Sequence, residues 1–167
     1  MHAERSVAGL SKAGMFAELK QQLAGLIAGE RDGLANAANL TALIHEVMPA
    51  LNWTGFYFLR GGELILGPFQ GRAACMRIPL GKGVCGTAAE RRETLVVPDV
   101  HEFPGHIACD AASRSEIVVP LIQDGRLLGV LDLDSPHPGR FDREDADGLG
   151  ALVQMLLQGT DFERLTD

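Results

Sequence analysis

Positive charge is in short supply: 15 Lys and Arg stand against 22 Asp and Glu, leaving a formal net charge of −7 over 167 residues. Affinity for DNA or RNA comes largely from cations that neutralise phosphates, so nucleic-acid partners are not expected. Long apolar runs are missing too. No stretch approaches the roughly 20 apolar residues that a membrane span needs. The opening residues MHAERSVAGLSKAG lack the apolar core of a secretory signal, so a cytoplasmic protein with no membrane partner is expected. The chain has one Trp, one Tyr and three cysteines. An odd and small number of cysteines is no disulfide framework, and a chain of this size builds a core without such staples. In a reducing compartment each thiol therefore invites a chemical reading. Repeats, low-complexity tracts and internal linkers are also absent, which implies one domain over residues 1–167.

What is present is ordinary for a globular protein, with 46% hydrophobic and 22% charged residues. Met15 to Ala28 reads as an amphipathic helix, with Phe16, Leu19, Leu23, Leu26 and Ile27 at helical spacing. Asp32 caps a second helix that Pro49 stops after Met48. From Trp53 the period changes to two. Asn52–Leu59 and Glu63–Phe69 read as a hairpin across Gly61-Gly62. Ile117–Ile122 and Arg126–Asp134 read as a second hairpin across Gln123-Asp124-Gly125. Ala73–Ile78 and Thr94–Val97 are further strand candidates, and between them Gly81–Glu90 is glycine-rich and then helical. Asp142 caps a last helix whose buried stripe is Leu149, Leu152, Val153, Leu156 and Leu157. The pattern predicts an α+β fold on a mostly antiparallel central sheet. Residues 1–50 supply N-terminal helices, 51–140 the sheet and its loops, and 141–167 the C-terminal helix. Pro98–Ser115 does not fit this regularity. Structureless segments longer than about 12–15 residues inside compact domains are usually lids or binding loops.

Several residues admit both a structural and a chemical reading. Cys75, in the run Ala73–Met76, suits a strand-borne core thiol; Cys85, among glycines, suits it less. Cys109, among Ala, Asp and Ser in the irregular stretch, suits it poorly and is the candidate nucleophile. His101, His106 and Cys109 are neighbours but match no closed zinc spacing, so loop-tethering histidines are the simpler reading and no metal is expected. In Leu131-Asp132-Leu133-Asp134, strand alternation sends both acids to one face, roughly 6.5–7 Å apart. They form either a solvated face or, with Glu116 on a neighbouring strand, a carboxylate cluster. Such a cluster grips an ammonium group, or crowding raises a pKa until one acid keeps its proton. Trp53 and Tyr57 share a strand face, as core packing or as an aromatic wall for a methyl-thioether. Gly81-Lys82-Gly83 completes neither a dinucleotide nor a P-loop fingerprint, and no strained Gly-x-Ser-x-Gly turn is present.

Taken in order, the runs Trp53-Thr54-Gly55-Phe56-Tyr57, Leu66–Gly71 (LGPFQG), Gly83-Val84-Cys85-Gly86-Thr87-Ala88, Phe103–Asp110 (FPGHIACD) and Ser113–Pro120 (SRSEIVVP) resemble the free methionine-(R)-sulfoxide reductases, small thiol enzymes of the GAF fold. Gly129–Ser135 is similar to the GAF closing strand with that family's acidic pair. The resemblance spans about Leu51 to Gln154. It implies a GAF-like sheet with the N- and C-terminal helices packed on one face and a long lid loop over the pocket. It further implies that Cys109 is the catalytic cysteine, Cys75 the main resolving cysteine and Cys85 a supporting or alternative thiol. Trp53, Tyr57, Glu116, Asp132 and Asp134 become substrate-binding residues. No cofactor or metal is implied. The partners it implies are free methionine-R-sulfoxide, thioredoxin or a similar dithiol reductant, and a second copy of the chain in a homodimer.

The chemistry implied is attack by the Cys109 thiolate on the sulfoxide sulfur, protonation of the departing oxygen by a carboxylic acid, and condensation of the resulting sulfenic acid with a second thiol. Carboxylates near Cys109 oppose thiolate formation; Arg114, His106 or the substrate itself are the candidates to offset them. Two other classes remain open in the sequence: a GAF sensor that binds a small ligand without turnover, and a thiol switch that regulates a partner.

Overall fold

The computed structural model describes residues 9–166. Helix α1 (Lys12–Ile27) begins where the Ser11 side chain accepts the Gly14 amide. Helix α2 (Gly33–Val47) begins at Asp32, whose carboxylate accepts the Ala35 amide, and Met48 ends it one residue before Pro49. Strands β1 (Trp53–Arg60) and β2 (Glu63–Gly71) form the first hairpin. After β3 (Arg77–Pro79) come α3 (Gly83–Arg91) and β4 (Leu95–Val97). The second hairpin joins β5 (Ser115–Gln123) to β6 (Arg126–Ser135). Helix α4 (Arg143–Gly159) closes the fold with a capping box between Asp142 and Asp145.

The six strands lie in the order β3-β2-β1-β6-β5-β4, with every neighbouring pair antiparallel. Helices α1, α2 and α4 cover one face. Leu19, Leu23, Leu40, Ile44, Leu152 and Leu156 pack there against Phe56, Phe58, Ile117, Val119, Leu131 and Leu133. Burying each such side chain contributes about 1.5–3 kcal/mol, which makes this layer the main source of stability. The opposite face carries α3 and the irregular segments over Tyr57, Val118 and Val130. Its character changes along β6 because Leu128 is an extra residue: Gly129 pairs with Leu121, and Leu127 with Ile122. The bulge shifts the alternation by one residue, so that Leu128 joins Leu131 and Leu133 in the helical layer while Leu127 joins Val130 on the opposite face. Only glycine fits at 129, since a Cβ there would stand 2.1 Å from the Tyr57 carbonyl oxygen.

The sequence reading fails at the strand expected over Ala73–Ile78, of which only Arg77 and Ile78 enter β3. Side chains claim the backbone of the rest. Trp53 Nε1 donates to the Arg72 carbonyl at 3.1 Å and Tyr57 Oη to the Cys75 carbonyl at 2.9 Å. Pro98–Arg114 stays irregular apart from a 3-10 turn at Val100–Glu102. Its ends are fixed by Val100 N–H to the Arg114 carbonyl and Arg114 N–H to the Ser135 carbonyl, both 2.8 Å.

Candidate active site

A cavity of about 510 Å³, counting its open mouth, lies between the sheet, the start of α3 and the 98–114 loop. Trp53 and Tyr57 form its aromatic wall, with ring centroids 5.9 Å apart. They are four residues apart on β1, and Gly55 between them makes the contact possible: a Cβ there would lie 2.4 Å from the Trp53 ring. Both are 2% exposed or less, so each is core and wall at once. The Tyr57 hydroxyl is engaged by the Cys75 carbonyl and faces the thiol segment.

Cys75 and Cys109 are joined in a disulfide, with Cα atoms 5.5 Å apart. It ties the segment after β2 to the loop that roofs the cavity, where His106, Ile107, Cys109, Asp110 and Ser113 face inward. Asn52 holds the same loop from the sheet side, donating to Asp110 Oδ2 and Ser113 Oγ at 3.1 Å each. Cys85, in the first turn of α3, is a buried free thiol. It donates to Glu116 Oε1 at 3.7 Å.

The floor is acidic. Glu116 pairs with Asp134 across β5 and β6, and Glu116, Asp132 and Asp134 all border the cavity. Burial raises the pKa of each, and mutual repulsion adds to the rise for Glu116 and Asp134. Glu116 and Asp134 are pushed well up, while Asp132, accepting hydrogen bonds from Glu116 and Cys85, rises to about 6. Of the three, Glu116 and Asp134 are therefore pushed toward keeping their protons, and Asp132 gives its proton up most readily. Asp132 is 6% exposed, and its Oδ1 has no hydrogen-bond partner among the described residues. Burial, followed by repulsion from Asp132 and Glu116, also raises the Cys85 thiol well above its ordinary value.

The GAF domain family profile matches residues 31–158. The free methionine-R-sulfoxide reductase of Escherichia coli K12 is 49% identical over 158 residues, covering 93% of this chain and 96% of that protein. The chain belongs to the GAF-domain free methionine-R-sulfoxide reductases. A free methionine-R-sulfoxide reductase from Saccharomyces cerevisiae is 43% identical, covering 92% of this chain and 90% of its own. The Neisseria meningitidis free methionine-R-sulfoxide reductase, solved in complex with its substrate, superposes with a TM-score of 0.90 at 46% identity, covering 95% of each chain.

For a reductase of this family, the structure gathers the residues singled out in the sequence around one cavity. Trp53, Tyr57, Cys85, Cys109, Glu116, Asp132 and Asp134 line it, and Cys75 joins it through the disulfide. The two candidates to offset the acidic floor do not serve as cations. Arg114 is drawn to Asp99 at 3.2 Å and does not line the cavity. Burial lowers the His106 pKa, which keeps its imidazole neutral near pH 7. Its Nε2 stands 3.8 Å from Glu116 Oε2. His101 is largely exposed and lies 3.5 Å from Asp99. Among the described residues, His101, His106 and Cys109 form no metal-ligand group. The sequence reading missed Asn52, Asp110 and Ser113 as loop anchors and Lys82 and Gly83 at the α3 entrance. The FPGHIACD run was the available signal for Asp110; Asn52 offered none.

Proposed function

We propose that the chain reduces free L-methionine-(R)-sulfoxide to methionine with Cys109 as nucleophile and Cys75 as resolving thiol. The observation that carries this reading is the Cys75–Cys109 pairing beside an aromatic wall and an acidic floor. The methyl group rests against Trp53 and Tyr57, which favour a polarisable sulfur substituent. The Asp132 carboxylate, whose Oδ1 has no partner among the described residues, takes the substrate ammonium. The entrance at Lys82–Val84 takes the α-carboxylate on the N-terminal amides of α3. The same helix end offsets the acids and favours a Cys109 thiolate.

The Cys109 thiolate attacks sulfur while a protonated acid, Glu116 or Asp134, gives its proton to the sulfoxide oxygen. Oxygen passes to Cys109 as a sulfenic acid and methionine leaves. The Cys75 thiol then displaces water from the sulfenic acid, forming the disulfide. A cytoplasmic dithiol protein such as thioredoxin restores both thiols by exchange. The chain works as one unit over residues 1–167, paired as a homodimer. No described helix is long and apolar enough to cross a membrane.

Reduced protein, given substrate without reductant, is expected to release about one methionine per chain and to end as the Cys75–Cys109 disulfide by mass spectrometry. Cys109→Ser should keep its circular dichroism and release none. Cys75→Ser should release one methionine and stop at the sulfenic acid. Methionine released by Cys109→Ser would overturn the assignment.

A further inference from the structure

Cys85 is the one thiol outside the disulfide. One donor atom each from Cys85, Glu116 and Asp132 lies within 4.8 Å of the other two, and all three side chains are buried. The Cys85 sulfur stands 3.7 Å from Glu116 Oε1. A tetrahedral zinc with sulfur at about 2.3 Å and carboxylate oxygen at about 2.0 Å sets those atoms about 3.5 Å apart. A shift of a few tenths of an ångström therefore closes the pair on one ion. A second observation is independent of this spacing: Oδ1 of Asp132 is buried and has no hydrogen-bond partner among the described residues. An unpaired oxygen of this kind is unfavourable until something takes it up.

Two carboxylates and a thiolate repel one another when ionised side by side, and a divalent cation at their centre reverses that sign. Sulfur among the donors favours a borderline-soft ion over Mg²⁺ or Ca²⁺, which take oxygen alone. All three residues border the cavity. We propose that Cys85, Glu116 and Asp132 bind a single borderline-soft divalent cation of the Zn²⁺ type, and that its occupation excludes the substrate ammonium and blocks the site. Binding exchanges the protons held by these ligands for the ion and involves no redox step. The thiol left outside the disulfide thereby becomes the point at which metal availability controls the cavity.

The test uses the full chain in its disulfide form, in which Cys85 is the only thiol available to a metal, with Co²⁺ as a spectroscopic probe. Uptake of one Co²⁺ per chain is expected, with thiolate-to-cobalt charge-transfer absorption that Zn²⁺ displaces. Cys85→Ser should lose that absorption and bind at least about tenfold more weakly. Asp132→Asn should keep the absorption at saturation but also weaken binding at least about tenfold, which holds the proposal testable if the serine variant does not fold. Absence of saturable uptake, or an unchanged affinity in either folded variant, overturns the site. Free methionine-R-sulfoxide should raise the apparent Kd for Co²⁺, and a Kd indifferent to it overturns the blocking claim. These readouts need no turnover, so they stand or fall separately from the reductase reading.

Discussion

The two faces of the sheet are made from the same strands and differ residue by residue. On β6, Leu131 and Leu133 enter the layer of α1, α2 and α4, while Asp132 and Asp134 enter the cavity. On β5, Ile117 and Glu116 divide in the same way. The helical layer also contains a fully buried acid, Asp145, but this one is satisfied: Lys12 lies 2.6 Å away and Arg140 3.3 Å away. On the cavity face one oxygen of Asp132 has no hydrogen-bond partner among the described residues. One face holds its charges in pairs and supplies stability. The other leaves an oxygen of Asp132 unpartnered among the described residues, a state that a ligand with an ammonium group would relieve. The scaffold tolerates the second face because the first is well packed, as expected where function opposes stability.

Neighbours on β6 should therefore respond with opposite sign. Leu131→Ala is expected to destabilise the fold by about 2–5 kcal/mol, the range for a large-to-small change in a packed core, as read from urea unfolding. Asp132→Asn, one residue on, should stabilise the protein above pH 6 by about 1–3 kcal/mol while lowering turnover. Asp132 titrates near 6 in the folded protein, against an ordinary 3.8. Between those values the folded state binds more protons than the unfolded chain, so wild-type stability falls as pH rises through the window. The advantage of the asparagine variant should grow from near zero at pH 4 to its full size above pH 6. A thermal melting series at pH 4, 6 and 8 checks this, and an advantage constant with pH would contradict the unpaired-acid account.

A smaller effect lies on the paired face. The Lys12 ammonium, aided by the Asp145 amide, holds the Asp142 pKa down to about 2. Asp142→Ala removes the N-cap of α4 and should cost about 1 kcal/mol. Its carboxylate stabilises the fold above about pH 4, and that contribution is lost as pH falls through about 2. The gap between wild type and variant in urea midpoint should accordingly be full at pH 6 and shrink toward pH 2.

Elements held together by local rules were legible in the sequence. Asp32 and Asp142 announced helix starts because a short acidic side chain reaches an amide three residues on. The alternation Leu131-Asp132-Leu133-Asp134 gave the two faces of β6 before any partner was known. Contacts between distant segments were not legible. Asn52 reaches Asp110 and Ser113, 58 and 61 residues away, and nothing near Asn52 marks them. Ala73–Met76 reads as a strand-like run, yet the Tyr57 hydroxyl and the disulfide claim it, and Trp53 holds the Arg72 carbonyl just before it. Spacing alone left the pairing among three cysteines open, and the family resemblance favoured Cys75. Burial of His106 was likewise invisible, which is why its charge entered the sequence reading.

The central claim is that the cavity face recognises a free amino acid through both its charged ends. Losing one charge-assisted hydrogen bond costs about 1.5–3 kcal/mol, roughly 10- to 150-fold in affinity or rate. The most direct test is the ratio of kcat/KM for free methionine-R-sulfoxide to that for its N-acetyl amide, in which both charges are gone. A ratio of at least about one hundred is predicted. Comparable efficiencies would mean that the pocket reads only the sulfoxide side chain and would contradict the account.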